Sequence, residues 1–116
     1  MKLRIRGDSL RLRLSQSDVA RIEEGQAVIE TTQFAATTLR FGLHPSSTKR
    51  CDARFDDGEI AVQIPLAQAQ QWARSDEVGI EAVAGPLAVL IEKDFSCLAP
   101  RAGEEDGDTF PNPKAT

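Results

Sequence analysis

The chain has no tyrosine, one tryptophan, one methionine and one histidine. With His44 as the sole imidazole, sites built from several histidines are excluded, leaving at most a composite of His44, Cys51, Cys97 and a carboxylate. Two cysteines are too few for a disulfide scaffold. The opening "MKLRIRG" lacks the apolar block of an export signal, so Cys51 and Cys97 are expected to be thiols rather than a bridge. No apolar run approaches the roughly 18 residues that cross a bilayer. The expectation is a soluble, cytoplasmic protein with no membrane contact. No catalytic or cofactor motif of known mechanics is present; no catalytic residue, metal site or cofactor is assigned, and a non-enzyme is preferred with an enzyme left open.

What is present is a charge split. Residues 1–50 carry nine Lys and Arg against five Asp and Glu, whereas residues 51–116 carry five against thirteen. The acidic half would repel phosphates, so nucleic acid is not an expected partner, while a local basic face or self-complementary association is. A length of 116 residues with 41% hydrophobic content suits one core and one domain.

Lys2–Arg6 and Leu10–Leu14 alternate with period two around Gly7-Asp8-Ser9, which predicts a hairpin. Leu3, Ile5, Leu10, Leu12 and Leu14 share one face and Lys2, Arg4, Arg6, Arg11 and Arg13 the other. Ser15 with Asp18 three residues on resembles a capping box, and Gly25 stops the pattern, so a helix is expected over Gln16–Glu24. Ala27–Phe34 and Thr38–Leu43 read as strands joined through Ala35-Ala36-Thr37, and "HPSSTKR" as a loop. The second half repeats the plan: a hairpin turning at Asp57-Gly58, a helix opened by Pro65 with Leu66, Ala69 and Trp72 or Ala73 inward, then "VGIEAVAG" and "LAVLIEKDF" as strands.

A shift of fifty residues lays Leu10, Leu12, Leu14, Ile22 and Val28 on Ile60, Val62, Ile64, Trp72 and Val78. The expected architecture is therefore one α+β domain over residues 1–99, made of two ββαββ units, 1–49 and 50–99. It has about eight short, mostly antiparallel strands and two helices, closed like a barrel or strongly curved, because closure removes exposed edges. Residues 100–116, "PRAGEEDGDTFPNPKAT", form an acidic tail too poor in apolar residues to fold alone.

Two readings of the basic row compete. In one, Arg4, Arg6, Arg11, Arg13 and Arg40 face inward and bind a small anion or nucleotide phosphate, with Glu81 or Glu92 as metal partners in a divergent phosphohydrolase. Tunnel phosphatases that act on triphosphates, however, place a Glu-x-Glu-x-Lys motif where this chain has Lys2-Leu3-Arg4-Ile5-Arg6. In the other, the row is a solvated strand face paired to Glu30, Glu81, Glu92 and Asp94. The second is preferred. Arg6-Gly7-Asp8 is turn chemistry, "EEDGD" at 104–108 a solvated run, and Cys97 a small core residue rather than a nucleophile paired with His44. Phe110, stiffened by Pro111 and Pro113, is expected to dock near Cys97 or on a partner, with the tail acids along the first hairpin.

The two ends, "MKLRIRGDSLRLRLSQSDV" and "LIEKDFSCLAPRAGEEDGDTFPNP", resemble those of a family of small bacterial proteins of unknown function. The resemblance implies a bacterial cytoplasmic protein and carries over no catalytic residue. It draws attention to a candidate cluster of Glu92, Lys93, Asp94, Phe95, Cys97 and Phe110 with Pro111-Asn112-Pro113. The functional expectation is a non-enzymatic binding or protein-interaction module, with a homodimer as the expected partner state. The alternative is a small anionic ligand on the arginine row.

Overall fold

The computed structural model describes residues 1–95 and 108–110. In chain order its elements are β1 (Lys2–Arg6), β2 (Ser9–Leu14), α1 (Gln16–Glu23), β3 (Val28–Gln33), β4 (Thr38–Ser46), β5 (Asp52–Asp56), β6 (Glu59–Pro65), α2 (Leu66–Arg74), β7 (Gly79–Ala84) and β8 (Leu87–Lys93). Positive φ at Gly7, Asp57 and Gly58 is the backbone twist that two-residue hairpins need. Ser15 caps α1 as its spacing predicts: its hydroxyl accepts from the Asp18 amide at 3.3 Å, and its own amide donates to Asp18 Oδ2 at 3.2 Å. Pro65 ends β6 and sits at the cap of α2 without making a side-chain cap, one position earlier than the helix start assigned to it.

The eight strands form two four-stranded sheets, ordered β1-β2-β8-β7 (sheet A) and β3-β4-β6-β5 (sheet B). Both halves have the same order of elements, and moving each strand to its counterpart in the other half turns one sheet order into the other. Each half gives its first hairpin to one sheet and its second hairpin to the other. The middle of each sheet is where the halves meet, and there β2 pairs with β8, and β4 with β6, in parallel.

Two expectations fall with this. The sheets are mixed, not mostly antiparallel, and they do not close into a barrel. The physical reason is that β2 and β8, like β4 and β6, run toward the helical end together, so the exchanged hairpins meet side by side rather than head to tail. The outer strands then remain sheet edges. Edge protection comes instead from facing strands: β5 lies against β7, and the Met1 amine at the start of β1 reaches Glu30 on β3.

One core fills the space between sheets and helices. Leu10, Leu12 and Leu14 of β2, Ile60, Val62 and Ile64 of β6, Phe41 and Leu43 of β4 and Val89 and Ile91 of β8 are buried in it, with Val19, Ile22, Ala69 and Trp72 from the packed helix pair. Ile22 and Trp72, fifty residues apart, are both wholly buried. The match of Val28 to Val78 does not hold. Val28 pairs with Leu43 and Ile80 with Ile91, so the counterpart of Val28 is Ile80, and Val78 is exposed. The segment read as a loop from His44 belongs to β4 through Ser46. β3 pairs only as far as Leu43, so Pro45 has a strand on one side alone, where its missing N–H is tolerated.

Candidate functional site

The basic row lies on the outer face of sheet A. Strand register sets three rungs across the four strands: Lys2, Arg13, Glu92 and Gly79; Arg4, Arg11, Leu90 and Glu81; Arg6, Ser9, Ala88 and Val83. The leucines of β2 point the other way into the core, so the inward-facing arrangement required for an enclosed anion site is overturned. Burying apolar side chains decides it: an inward row of guanidinium groups would have to shed water without enough carboxylates to replace it. Arg40 is not part of the row. It sits on β4 in sheet B, on a rung with Glu59.

Part of the row is neutralised. Arg11 Nε lies 3.1 Å and Arg13 Nε 3.7 Å from Glu92 Oε1, and Lys2 Nζ 2.9 Å from Asp94 Oδ2. Glu30, expected opposite the row, holds the Met1 amine instead, at 2.9 Å, together with Asp18 at 3.0 Å. Arg4 and Arg6 are exposed and have no carboxylate within ion-pair distance among the described residues. Arg4 stands directly across from Arg11, a like-charge pair that opposes folding in the absence of a counter-ion. A depression of about 270 Å³ is lined by Arg4, Arg6, Ser9 and Arg11. Beside it lies an open groove of about 540 Å³, lined on the outer face by Ser9, Arg11, Glu81, Val83, Ala88 and Leu90.

The cluster drawn from the C-terminal resemblance splits across the strand. Glu92 faces outward with the arginines, whereas Lys93, next along β8, faces inward and is buried. Its Nζ donates to the Ser75 carbonyl at 2.6 Å, at the C-terminus of α2, where a cation favours the helix dipole. The ammonium also lies 5.7 Å from the Trp72 ring and 5.8 Å from the Phe110 ring. Phe110 packs on Phe95 at 5.8 Å and its amide donates to the Asp94 carbonyl at 2.8 Å. Phe110 thus docks on the body beside Asp94 and Phe95. Cys97, Pro111, Asn112, Pro113 and the acids at 104–106 lie outside the described residues.

Asp108 does not lie along the first hairpin. Its carbonyl accepts from the Gln16 amide at 2.9 Å, and its carboxylate accepts from the Ser17 amide at 3.3 Å and from the Ser17 hydroxyl. These are the free amides of the first turn of α1. The Ser17 hydroxyl, foremost, holds the Asp108 carboxyl below its ordinary range. The segment 108–110 therefore straps the helical end of the molecule.

One feature escaped the sequence reading, while His44 and Cys51, both named there, take on definite surroundings. The α-amino group of Met1 is buried between Asp18 and Glu30: burial alone would lower its pKa, but the hydrogen bonds and charges of the two carboxylates outweigh this and raise it above 8.0. The capping-box spacing already marked Asp18, though not for this second role. His44 lies half-buried in a strand, its Nε2 without a hydrogen-bond partner and close over Gly42. Cys51 is a half-buried thiol whose pKa burial pushes up, the opposite of an activated nucleophile. Among the described residues no three His, Cys, Asp or Glu side chains gather as metal ligands, and no helix is long and apolar enough to cross a membrane.

The fold and surface define a class: a small α+β protein of two mixed four-stranded sheets whose strand orders correspond between the two halves, with an arginine-bearing outer face. The chain belongs to a family of unknown function, DUF7009, whose family model matches residues 1–114. No curated protein and no solved structure matches it.

Proposed function

We propose that the chain is a non-enzymatic protein-interaction module that receives an acidic, extended segment of a partner along the outer face of sheet A. The observation that carries this is the pair Arg4 and Arg6: exposed, without a carboxylate among the described residues, and set beside Arg11 at the head of an open groove. A surface with cations that the acids among the described residues leave uncompensated attracts a negative partner and speeds its encounter. The groove supplies a partly apolar floor, with Val83, Ala88 and Leu90 beside the charges of Arg11 and Glu81, on which an extended segment can lie.

A second reading, a small anionic ligand such as pyrophosphate or a nucleotide phosphate, is favoured by the 270 Å³ depression in which Arg4, Arg6 and Arg11 converge. Arginine suits such anions through paired hydrogen bonds. One titration separates the two. A fluorescent decapeptide rich in Glu and Asp should bind with an affinity that falls with salt and is lost in the Arg4→Glu, Arg6→Glu double variant. Pyrophosphate at millimolar concentration should compete weakly. Tight pyrophosphate binding with no peptide binding turns the assignment to the anion site; binding of neither ligand removes both.

A further inference from the structure

The end of the molecule opposite the helices carries an unexplained pattern. Both β2 and β6 lead into helices that pack on one another, so the turns of the β1–β2 and β5–β6 hairpins lie at the other end. Ile5 and Phe55 occupy equivalent positions there, opposite Leu10 and Ile60 on the core-facing side of their sheets. Yet they are 57% and 74% exposed. Phe34, in the β3–β4 turn, and Val83, near the β7–β8 turn, are also exposed and belong to the same end. Among the described residues, four of the six exposed large apolar residues are thus at the end that no helix covers. Exposed apolar residues collected at one end of a molecule point to an interface there.

Charge at this end is inverted between the halves. From Arg4 to Arg11 the first hairpin carries three arginines against Asp8. From Arg54 to Ala61 the second carries Asp56, Asp57 and Glu59 against Arg54. Position by position, Arg6 corresponds to Asp56 and Ser9 to Glu59, while Arg4 and Arg54 keep the same sign. Asp56 stands directly across from Glu59, as Arg4 does from Arg11, so each hairpin holds a like-charge pair that opposes its own pairing. Opposite charge at that end would relieve both.

We infer that a second copy of this chain covers this end, forming a two-fold dimer end to end. The two hairpins occupy corresponding places in the two sheet orders, both with their turns at the open end. A second copy facing this end, related by a two-fold axis chosen to lay the first hairpin of one copy on the second hairpin of the other, brings each basic hairpin against the other copy's acidic one. The same operation sets Ile5 against Phe55 twice, giving an isologous interface with apolar contacts inside and ion pairs outside. This association uses the hairpin turns and the core-facing side of the edge strands. Arg6 also borders the face proposed for the peptide, so the two readings are told apart by Phe55→Ser, which lies on β5 in sheet B away from the groove and should weaken the dimer while leaving peptide binding unchanged.

Sedimentation equilibrium of the full chain tests it. A dimer of twice 12.6 kDa is expected at tens of micromolar in low salt, with weaker association at 1 M salt. Phe55→Ser should raise the dissociation constant at least tenfold, as a buried aromatic anchor would. Arg6→Glu and Asp56→Arg should each do the same, and the double variant carrying both should recover the dimer because the pairing is restored with its signs exchanged. Circular dichroism reports that each variant is folded, and the recovered double variant keeps the test independent of any single substitution that unfolds the chain. A monomer up to 1 mM, a dimer indifferent to Phe55→Ser, assemblies larger than a dimer, or a double variant as impaired as the singles would each overturn the inference.

Discussion

Replacing Trp72 with alanine tests how the two halves are locked together. The indole is wholly buried on α2, in the position that Ile22 fills on α1. Its N–H donates to the Val78 carbonyl at 3.2 Å, and Lys93 Nζ sits 5.7 Å from the ring. Truncating a buried tryptophan to alanine costs about 3–5 kcal/mol in lost transfer energy and cavity formation. That is a large share of the roughly 5–15 kcal/mol that holds a domain of this size. Trp72→Phe removes the donor but keeps most of the ring, and the Val78 carbonyl still accepts from the Lys93 amide at 2.9 Å, so no acceptor is stranded. Its cost is set near 1–2 kcal/mol by one hydrogen bond and a smaller void. Urea denaturation followed by circular dichroism should show the alanine variant's midpoint lower by about 2 M, taking a slope of roughly 1.5–2 kcal/mol per molar, and the phenylalanine variant's by less than half of that. Equal losses in the two variants would refute the packing argument, since only the volumes differ greatly between them. So would a loss below about 1 kcal/mol for alanine.

The buried Met1 amine predicts a fall in stability in alkali. Its pKa is raised on folding, so its contribution is complete below its unfolded value near 8 and is lost as pH rises through the folded value. Cys51, also raised, has the same sign, so the comparison belongs in a Cys51→Ala background, where Asp18→Asn should flatten the decline between pH 8 and 10 seen by thermal melting. On the acid side, the lowered pKa of Asp108 gives the 108–110 strap a contribution present above its unfolded value near 3.8 and lost as pH falls below it. Asp108→Asn should therefore loosen the strap at neutral pH, read as faster hydrogen exchange at Gln16 and Ser17. Phe110→Ala should expose the Lys93–Trp72 contact and shift the emission of the single tryptophan to the red. Finally, a peptide of residues 1–49 should be unfolded by circular dichroism and gain sheet signal on mixing with residues 50–116, because neither sheet can be built from one half.

The parts of this fold that are local were legible in the residues. Alternation in "KLRIRG" and "EIAVQI" placed the strands and their faces, Gly7 and Asp57-Gly58 placed the turns, and Ser15 with Asp18 placed the first helix start. Each of those patterns is decided within a few residues by pleat, turn geometry or capping. The pairing of β2 with β8 and of β4 with β6 is decided elsewhere. Leu12 meets Ile91, and Leu43 meets Val62, and nothing in either strand distinguishes that neighbour from another apolar strand of the same length. Parallel and antiparallel partners demand the same alternation on a half-buried face, so eight alternating strands are compatible with a closed barrel and with two exchanged sheets alike. What separates them is the helices. Because α1 and α2 follow corresponding strands and pack on each other, they pin the ends of β2 and β6 together, and each second hairpin must cross to the sheet begun by the other half. The fifty-residue spacing held this information in the pair Ile22 and Trp72. The same gap in scale explains the site: outward arginines follow from strand alternation, whereas the separation of Arg40 into the other sheet follows from the exchange. The opposition of Ile5 to Leu10, and of Phe55 to Ile60, was equally local, but their common exposure depends on which end the helices cover.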